Sequence, residues 1–456
     1  MRQRVVLFLL LLMVPVLAGA QGGESPTQCD VSFVQSKRPL NVATFFTWYH
    51  SPEEFECMSS RPLEGWFLSS DMRRTKQHFR RLKSHNFDTI MPVIYADPRD
   101  HGGGSGDMRQ LIKALRIAKQ QKLQFIPLFD LAVAAGLREN LCNPFAGICP
   151  QDSIPIEEYN FDRHPQLERL TVEMLTIIAR EFIVPFTHPK RPKRSTARFL
   201  TDEQGFLIRD EEGLPRPEIY LYIARAWADD SGGYKTIKVT VRKVVRVFRK
   251  LGLGRPAFTL DIIQGSQSTF DEQLVAAFGD TVVGITSFFE QNPAASTMGE
   301  LTRNVHTPMY SRAATRLGQA IAIGAVPPRT QISAGTAASF DKRKWAQCNE
   351  GFGNVAWPAM GPEDVYEAFR LSIAGTKQPD STCSHLTNDE GNPPTPYRNK
   401  RYIYAGEGFE ATWLCAETDN GSFVYPNKYG CQPLHIFEIL TKEIGESRSI
   451  RRNRSR

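Results

Sequence analysis

The chain of 456 residues lacks the local patterns that mark the commonest metal and nucleotide sites. The glycine-rich segment 102–106 has neither the Gly-Lys-Ser/Thr ending of a phosphate-binding loop nor the spacing of a dinucleotide fold, so we interpret it as a flexible loop. No cysteine spacing resembles a zinc site, and the nine histidines do not cluster with cysteines. We therefore expect no metal and no cofactor.

Long hydrophobic runs are absent after the first 20 residues. There, Arg2 and Arg4 precede an apolar run from Val5 to Leu17, and the segment 18–20 supplies small residues for cleavage. The run is shorter than the roughly 20 residues that cross a bilayer, so a membrane anchor is the minor alternative. We predict a signal peptide over 1–20, a leader over 21–39, a protein that is secreted or in the secretory-pathway lumen, and no transmembrane span after signal removal.

The folded body has no excess of either charge. The formal net charge is +7, but two arginines belong to the signal. Five more lie in the predicted basic, disordered tail 447–456: Arg448, Arg451, Arg452, Arg454 and Arg456. The remaining body is close to neutral, so we expect no nucleic acid among its partners.

All eight cysteines follow the predicted signal: Cys29, Cys57, Cys142, Cys149, Cys348, Cys383, Cys415 and Cys431. An even count in an exported chain indicates disulfide bonds. The connectivity cannot be deduced, although proximity favours Cys142 with Cys149 and Cys415 with Cys431. A sequon at Asn420 predicts a glycoprotein.

Strand-like and helix-like segments alternate eight times. The predicted strands are 40–47, 88–95, 123–129, 218–223, 257–263, 281–288, 329–333 and 402–405. The predicted helices are 70–85, 107–121, 165–182, 234–251, 270–278, 308–323, 363–375 and 433–443. A long cysteine-bearing loop is expected between Asp130 and Pro165, and an exposed basic insert over 187–198. Strict alternation indicates a parallel sheet, and eight units without a linker or repeat favour an α/β fold: a (β/α)₈ TIM barrel over 40–446, a single domain with long loops.

The active site of such a barrel lies at the carboxyl ends of its strands. The residues at the predicted ends are Trp48, Tyr49, His50, Tyr95, Asp97, Asp100, Asp130, Arg225, Trp227, Glu290, Gln291, Asp341, Arg343, Glu407 and Glu410. Acids, amides and aromatic rings converge there, as expected of a sugar-binding site. Each residue alone has an ordinary structural alternative, such as rim packing for Trp48 and Tyr49 or helix capping for Asp130.

The last predicted strand is followed at once by two acids. Glu407 and Glu410 follow the strand end and are separated by two residues, with Gly406 and Gly408 on either side of Glu407. Cleavage of a glycosidic bond needs such a pair, one group as the acid and the other as nucleophile or base. The spacing by itself is common, so the alternative of two solvated loop acids stays open.

Three patches resemble glycoside hydrolase family 99, the endo-α-mannosidases, and related glycosidase-like TIM barrels. The segment Phe45–Tyr49 is similar to the family's first strand with its Trp-Tyr pair. Ile332–Thr336 with Asp341, Arg343 and Trp345 is similar to a late strand end, and Tyr404–Thr412 to the final strand.

The resemblance implies a retaining glycosidase for α-mannosidic or related glycans, with an oligosaccharide or glycan as its partner. It implies that Glu410 is general acid and then base, and that Glu407 deprotonates the 2-hydroxyl, whose oxygen attacks the anomeric carbon. The substrate-binding residues expected are Trp48, Tyr49, Tyr95, Asp97, Asp130, Glu290, Asp341 and Arg343.

The sequence departs from the family at three positions. Gly406 and Gly408 stand where the family has Asn and Trp, and Thr336 where it has Tyr. Two alternatives therefore stay open: a non-catalytic carbohydrate-binding barrel, and a related α-glucanase or glycosyltransferase-like barrel.

Overall fold

A computed structural model describes the chain over a defined set of residues. These are residues 40–47, 50–51, 68–84, 87–102, 104–139, 159–188, 190–202, 205–263, 270–287 and 298–337, with short strand segments at 340–341, 356–357, 397–404, 412–413, 416–417, 423–424 and 433–434. The predicted signal, leader and basic tail lie outside this set, as do all eight cysteines and the Asn420 sequon. No helix within the set is long and apolar enough to cross a bilayer.

The elements are numbered along the chain. The strands are β1 (Leu40–Phe45), β2 (Thr89–Ile94), β3 (Gln124–Phe125), β4 (Leu128–Phe129), β5 (Glu218–Leu221), β6 (Ala257–Asp261), β7 (Val282–Thr286), β8 (Ile332–Ala337), β9 (Phe340–Asp341), β10 (Ala356–Trp357), β11 (Tyr397–Tyr404), β12 (Thr412–Trp413), β13 (Ala416–Glu417), β14 (Phe423–Val424) and β15 (Pro433–Leu434). The α-helices are α1 (Met72–Ser84), α2 (Ser105–Gln120), α3 (Leu131–Glu139), α4 (Pro165–Ile177), α5 (Tyr234–Lys250), α6 (Glu272–Phe278), α7 (Met298–Leu301) and α8 (Thr307–Ala322).

Nine strands form one sheet in the order β1-β11-β8-β7-β6-β5-β4-β2-β3, and every pairing within it is parallel. β1 also pairs with β2, so β1 has a neighbour on each side. Val42 is in register with Thr89 of β2 and with Tyr402 of β11. The parallel sheet therefore curls round and brings its first and last long strands together.

The strands are buried on both faces, which explains their continuous apolar sequences. Every residue of β1, β2, β6 and β7 is buried. This is the pattern of a parallel sheet whose outer face is covered by helices. The helices supply that cover through one apolar stripe each, as α5 does with Ile237, Val241, Val244 and Phe248.

The third predicted strand is broken in two. β3 pairs with Thr89 and Ile90, and β4 pairs with Val93 and Ile94, leaving a gap at 126–127. Pro127 has no backbone N–H to give to the ladder, which accounts for the break. Likewise, the helix predicted over 165–182 is α-helical only to Ile177 and continues as a π-helix over Ile178–Ile183.

Three further expectations were wrong. The stretch directly after Asp130 was expected to be loop, but it forms α3, because Asp130 caps an alanine-rich segment. Pro433 and Leu434 were expected to begin a helix, but they pair with Thr412 and Trp413 as strand β15. The end of the basic insert is not exposed: Ser195, Thr196 and Ala197 are buried, and Ala197 bridges to Phe125. The helix predicted over 363–375 lies outside the described residues.

Candidate active site at the strand ends

The carboxyl ends of the parallel strands meet at one edge of the sheet. The polar residues found there are His50 after β1, Tyr95 and Asp97 after β2, Asp130 after β4, Arg225 after β5, Asp261 at the end of β6 and Ser287 after β7. Three of these are carboxylates that are almost fully enclosed, with Asp97 4%, Asp130 5% and Asp261 1% exposed. Burying a carboxylate is costly unless it has hydrogen-bond donors or cations as partners, so the partners of these acids define the site.

Asp107, in the first turn of α2, joins the exits of β1 and β2. His50 Nε2 lies 2.8 Å from Asp107 Oδ1, and the Tyr95 hydroxyl donates a hydrogen bond to Oδ2. Thr47 Oγ1 donates to the Asp107 carbonyl at 3.3 Å. The imidazole of His50 keeps 45% of its side chain exposed, so it is held by the carboxylate while facing solvent. A histidine held in this way is oriented for proton transfer or for hydrogen bonding to a hydroxyl.

Asp97 is clamped by two arginines. Arg99 donates to Oδ1 through its backbone N–H at 2.9 Å and Nε at 3.1 Å, and its NH2 group lies 2.8 Å from Oδ2. The NH2 group of Arg180, which belongs to the π-helix, lies 3.5 Å from Oδ2. The hydrogen bonding that the Arg99 guanidinium donates to Asp97 raises the pKa of that guanidinium. The Asp97 carboxyl group is therefore fixed in orientation by its bonds to two guanidinium groups.

Asp130 caps the helix that begins directly after β4. Its Oδ1 accepts the backbone N–H of Val133 at 3.0 Å. Burial raises the pKa of Asp130 from 3.8 to about 6, because enclosure disfavours the charged form more than the N–H groups of Val133 and Ala132 favour it. The Asp130 carboxyl can therefore hold a proton under mildly acidic conditions.

Asp261 holds a strained turn after β5. Its Oδ2 accepts the backbone N–H of Ile223 at 3.1 Å, and Arg225 NH1 lies 3.6 Å from Oδ1. Ile223 has φ 48°, a left-handed conformation that is costly for a β-branched residue. Strain of this kind persists only where surrounding bonds fix it, and it concentrates at functional sites. The strained turn places Arg225 at the edge where the strands end.

The structure brings together three of the predicted site residues. Tyr95, Asp97 and Asp130 all lie at this edge. Asp341 lies in β9, which pairs with β10. Six predicted site residues lie outside the described residues: Trp48, Tyr49, Glu290, Arg343, Glu407 and Glu410.

Trp227 was expected to be an aromatic ring at a strand exit, but it is 2% exposed. Its ring stacks on Phe161 with centroids 4.9 Å apart, so it belongs to the core. Conversely, sequence reasoning missed Asp107 and Asp261. An acid that ends an apolar strand, as Asp261 ends Ala257–Asp261, was the signal that could have identified the second of these.

Among the described residues, no group of three or more histidine, cysteine, aspartate or glutamate side chains could hold a metal ion.

No family model matches this chain, and no curated protein matches it. Among solved structures, the chain is similar to the family 99 endo-α-mannosidase of Bacteroides thetaiotaomicron, with 12% identity, a TM-score of 0.47 and coverage of 91% of this chain and 98% of that one. It is also similar to an endo-1,4-β-D-mannanase of Thermotoga petrophila, with 9% identity, a TM-score of 0.42 and coverage of 90% and 99%. Both are glycoside hydrolases, but the likeness is too loose to bear on function.

Proposed function

We propose that this protein is a glycoside hydrolase that cleaves α-mannosidic or related glycans with retention, using Glu407 and Glu410. One observation carries the proposal. β11 lies between β1 and β8 in the sheet, and it ends three residues before Glu407. The carboxyl end of β11, the last described residue before both glutamates, therefore lies at the edge where the enclosed acids lie.

The same pairing supports a (β/α)₈ barrel. β3 and β4 occupy one strand position, because both pair with β2. With these two counted together, the ring from β1 through β2 to β11 and back has eight positions, all parallel. A closed barrel leaves no exposed edge strand, and its catalytic groups come from the ends of several strands.

Chain geometry limits how far the two acids can be from the site. An extended residue spans at most about 3.6 Å, and Glu407 and Glu410 follow the end of β11 by only three and six residues in the sequence. Ile403 of β11 is in register with Ala43 of β1, the strand that leads to His50. This register supports the proposal that the two glutamates act beside His50, Tyr95 and Asp97.

The chemistry follows from a pair of acids in one enclosure. Two neighbouring carboxyl groups push their pKa values apart, which leaves one protonated and the other ionised. In the proposed reaction, Glu407 takes the proton of the 2-hydroxyl, whose oxygen attacks the anomeric carbon while Glu410 protonates the departing oxygen. Glu410 then removes a proton from the water that opens the resulting 1,2-anhydro sugar at the anomeric carbon, while Glu407 returns its proton to the 2-oxygen. Two inversions at the anomeric carbon give net retention.

The described residues support this role because hydrogen bonds and ion pairs already fix their side chains in the absence of substrate. Asp97 is held by arginines, Asp107 by His50 and Tyr95, and Asp261 by the turn at Ile223. Side chains that are already fixed lose little entropy when they bind the hydroxyl groups of a sugar. Asp97, Asp130 and Tyr95 are the residues of this edge that we propose contact the glycan, with Trp48, Tyr49, Glu290, Asp341 and Arg343 completing the site.

The test is a pair of single variants. Glu407→Gln and Glu410→Gln should each lose turnover of mannose-containing oligosaccharides, while circular dichroism and thermal melting stay unchanged. A glycosyl fluoride needs no protonation of its leaving group, so the first step of Glu410→Gln should lose much less on the fluoride than on a glycan. Normal turnover of the glycan by either variant would overturn the assignment.

A second candidate is a barrel that binds carbohydrate without cleaving it. Gly406 and Gly408 favour it, because they remove the two side chains that flank the first acid in the family 99 pattern. Glycan binding with no product after long incubation would support this candidate, and product formation would exclude it.

We also infer export. A cleaved signal peptide over 1–20 would place the body, 40–446, in the secretory lumen or outside the cell, where its eight cysteines could form disulfide bonds. Amino-terminal sequencing of the expressed protein and a thiol count under denaturing conditions would test both points. A retained Met1 or eight free thiols would contradict them.

A further inference from the structure

Helix α5 carries charge of one sign. Its 17 residues include seven lysines or arginines and no acid. Surface helices usually mix the two signs, because Glu and Lys four residues apart stabilise a helix and like charges at that spacing destabilise it. The composition of α5 is therefore unfavourable to the helix itself.

Four of the seven form a single row, which we call the α5 ridge: Lys238, Arg242, Arg246 and Lys250. They follow one another at intervals of four residues, so they lie along one ridge of the helix surface and span about 18 Å at 1.5 Å per residue. All four are exposed. Within the part of the chain that the structure describes, none of the four side chains forms an ion pair or a hydrogen bond.

The remaining helix cations differ from the ridge in having partners. Lys243 Nζ lies 2.8 Å from Glu168 Oε1 of α4, and Arg249 pairs with Glu211 and Glu212. The pKa of Asp162 is lowered by a hydrogen bond from Thr236 and also by the nearby charge of Lys235. The nearby acids thus neutralise the flanks of α5 and leave the ridge charged. Three like-charged neighbours at i,i+4 cost the helix about 1 kcal/mol in all.

The ridge is not the polar side of a membrane-inserted helix. The opposite face of α5, formed by Ile237, Thr240, Val241, Val244 and Phe248, is buried against the core. An interfacial helix must offer that face to lipid. What α5 offers instead is a straight row of cations about 6 Å apart, with Val239 exposed beside it.

We propose that the α5 ridge binds a linear anionic polysaccharide that carries sulfate or carboxylate groups. Charge complementarity selects an anion, and the straight row of equal spacing selects an extended chain with repeated charges. The choice of a polysaccharide among anionic polymers rests on the proposed function, since α5 begins at the edge of the sheet where the glycan site lies. The ridge would hold the chain along the side of the protein while the site acts on it or on its neighbours.

The experiment measures the affinity of the whole mature protein for heparin, a sulfated polysaccharide, by titration at two salt concentrations. The ridge variant is Lys238→Gln/Arg242→Gln/Arg246→Gln/Lys250→Gln. The matched control removes two lysines and two arginines from exposed positions of α1 and α2: Arg80→Gln/Lys113→Gln/Arg116→Gln/Lys119→Gln. A second variant keeps the charge of the ridge by exchanging each Lys for Arg and each Arg for Lys.

We expect the ridge variant to bind heparin at least about tenfold more weakly than wild type and to lose much of the salt dependence. The control and the charge-keeping variant should stay within about twofold of wild type. Equal losses in the ridge variant and the control would overturn the proposal, because they would indicate non-specific attraction. Absence of heparin binding by wild type would also overturn it.

Two other anionic ligands test whether the ridge prefers a polysaccharide. Ridge-dependent binding of a single-stranded oligonucleotide, or of vesicles containing phosphatidylserine, at affinity equal to that for heparin would overturn the assignment to polysaccharide. These measurements do not depend on turnover. A protein that cleaves mannosides but fails to bind heparin would overturn only the ridge, and a protein that binds heparin but cleaves nothing would overturn only the proposed activity.

Discussion

The Asp261 carboxylate accepts the backbone N–H of Ile223 at 3.1 Å, and so ties the end of β6 to the turn that follows β5. Ile223 needs this bond, because its φ of 48° is unfavourable for a β-branched residue. The same carboxylate faces Arg225 at 3.6 Å. One buried acid therefore fixes both the shape of the turn and the cation that it presents at the strand ends.

Removing this acid should release the turn. Asp261→Ala leaves the Ile223 N–H enclosed without an acceptor, so we expect the free energy of unfolding to fall by about 2 kcal/mol. Asp261→Asn keeps an acceptor oxygen and should lose less. Urea unfolding of both variants checks this order, and an alanine variant as stable as the asparagine variant would refute it.

Gly104 is required by the tyrosine that binds Asp107. It has φ 78°, and a Cβ there would lie 2.7 Å from a ring carbon of Tyr95. Gly104→Ala should therefore displace the Tyr95 ring and lower the free energy of unfolding by about 3 kcal/mol, from the clash and the backbone strain together.

A double-mutant cycle separates these two causes. With Tyr95→Ala already present, the clash with the ring is gone and only the 3.1 Å approach to Leu137 Cδ1 remains, so the same glycine substitution should cost only about 1 kcal/mol, mainly for the backbone. An equal loss in both backgrounds would show that Tyr95 does not depend on Gly104.

Asp130 should make stability depend on pH in the mildly acidic range. Its pKa is raised by burial from 3.8 to about 6, so the folded state holds the proton more tightly than the unfolded state. The stabilisation is complete below pH 3.8 and is lost as the pH rises through about 6. A pKa shift of this size corresponds to a loss of about 3 kcal/mol in the free energy of unfolding.

The control for this effect is Asp130→Asn, which caps a helix about as well and does not titrate. We expect the free energy of unfolding of wild type, relative to that of the variant, to fall by about 3 kcal/mol between pH 4 and pH 8. Parallel pH profiles for the two proteins would mean that Asp130 keeps an ordinary pKa.

The sequence predicted the strands well because a parallel sheet buries both strand faces. The runs around Val42, Met91 and Ile285 are mostly apolar, and each lies in a strand. Element ends were less predictable. The apolar pattern continues past Phe129 into α3, so the composition does not show where the strand ends and the helix begins. In the structure, the capping bond of Asp130 marks that boundary.

The strand-end positions of Tyr95, Asp97 and Asp130 were predicted, but their contacts were not. Tyr95, Asp97 and Asp130 follow apolar runs, which is visible in the sequence. The bond between Tyr95 and Asp107 joins residues 12 positions apart, and Arg180 approaches Asp97 from 83 positions away, so only the fold reveals them. Trp227 shows the reverse failure, because a tryptophan near a strand end can turn inward and pack on Phe161.

Product analysis by mass spectrometry decides whether this protein cleaves mannose-containing glycans with Glu407 and Glu410. The purified mature protein is incubated with mannose-containing and glucose-containing oligosaccharides, beside the Glu407→Gln/Glu410→Gln double variant. If the proposed activity is correct, wild type gives shortened mannose-containing products and the double variant gives none. Intact oligosaccharides with a well-folded wild type, or equal cleavage by the variant, would contradict it.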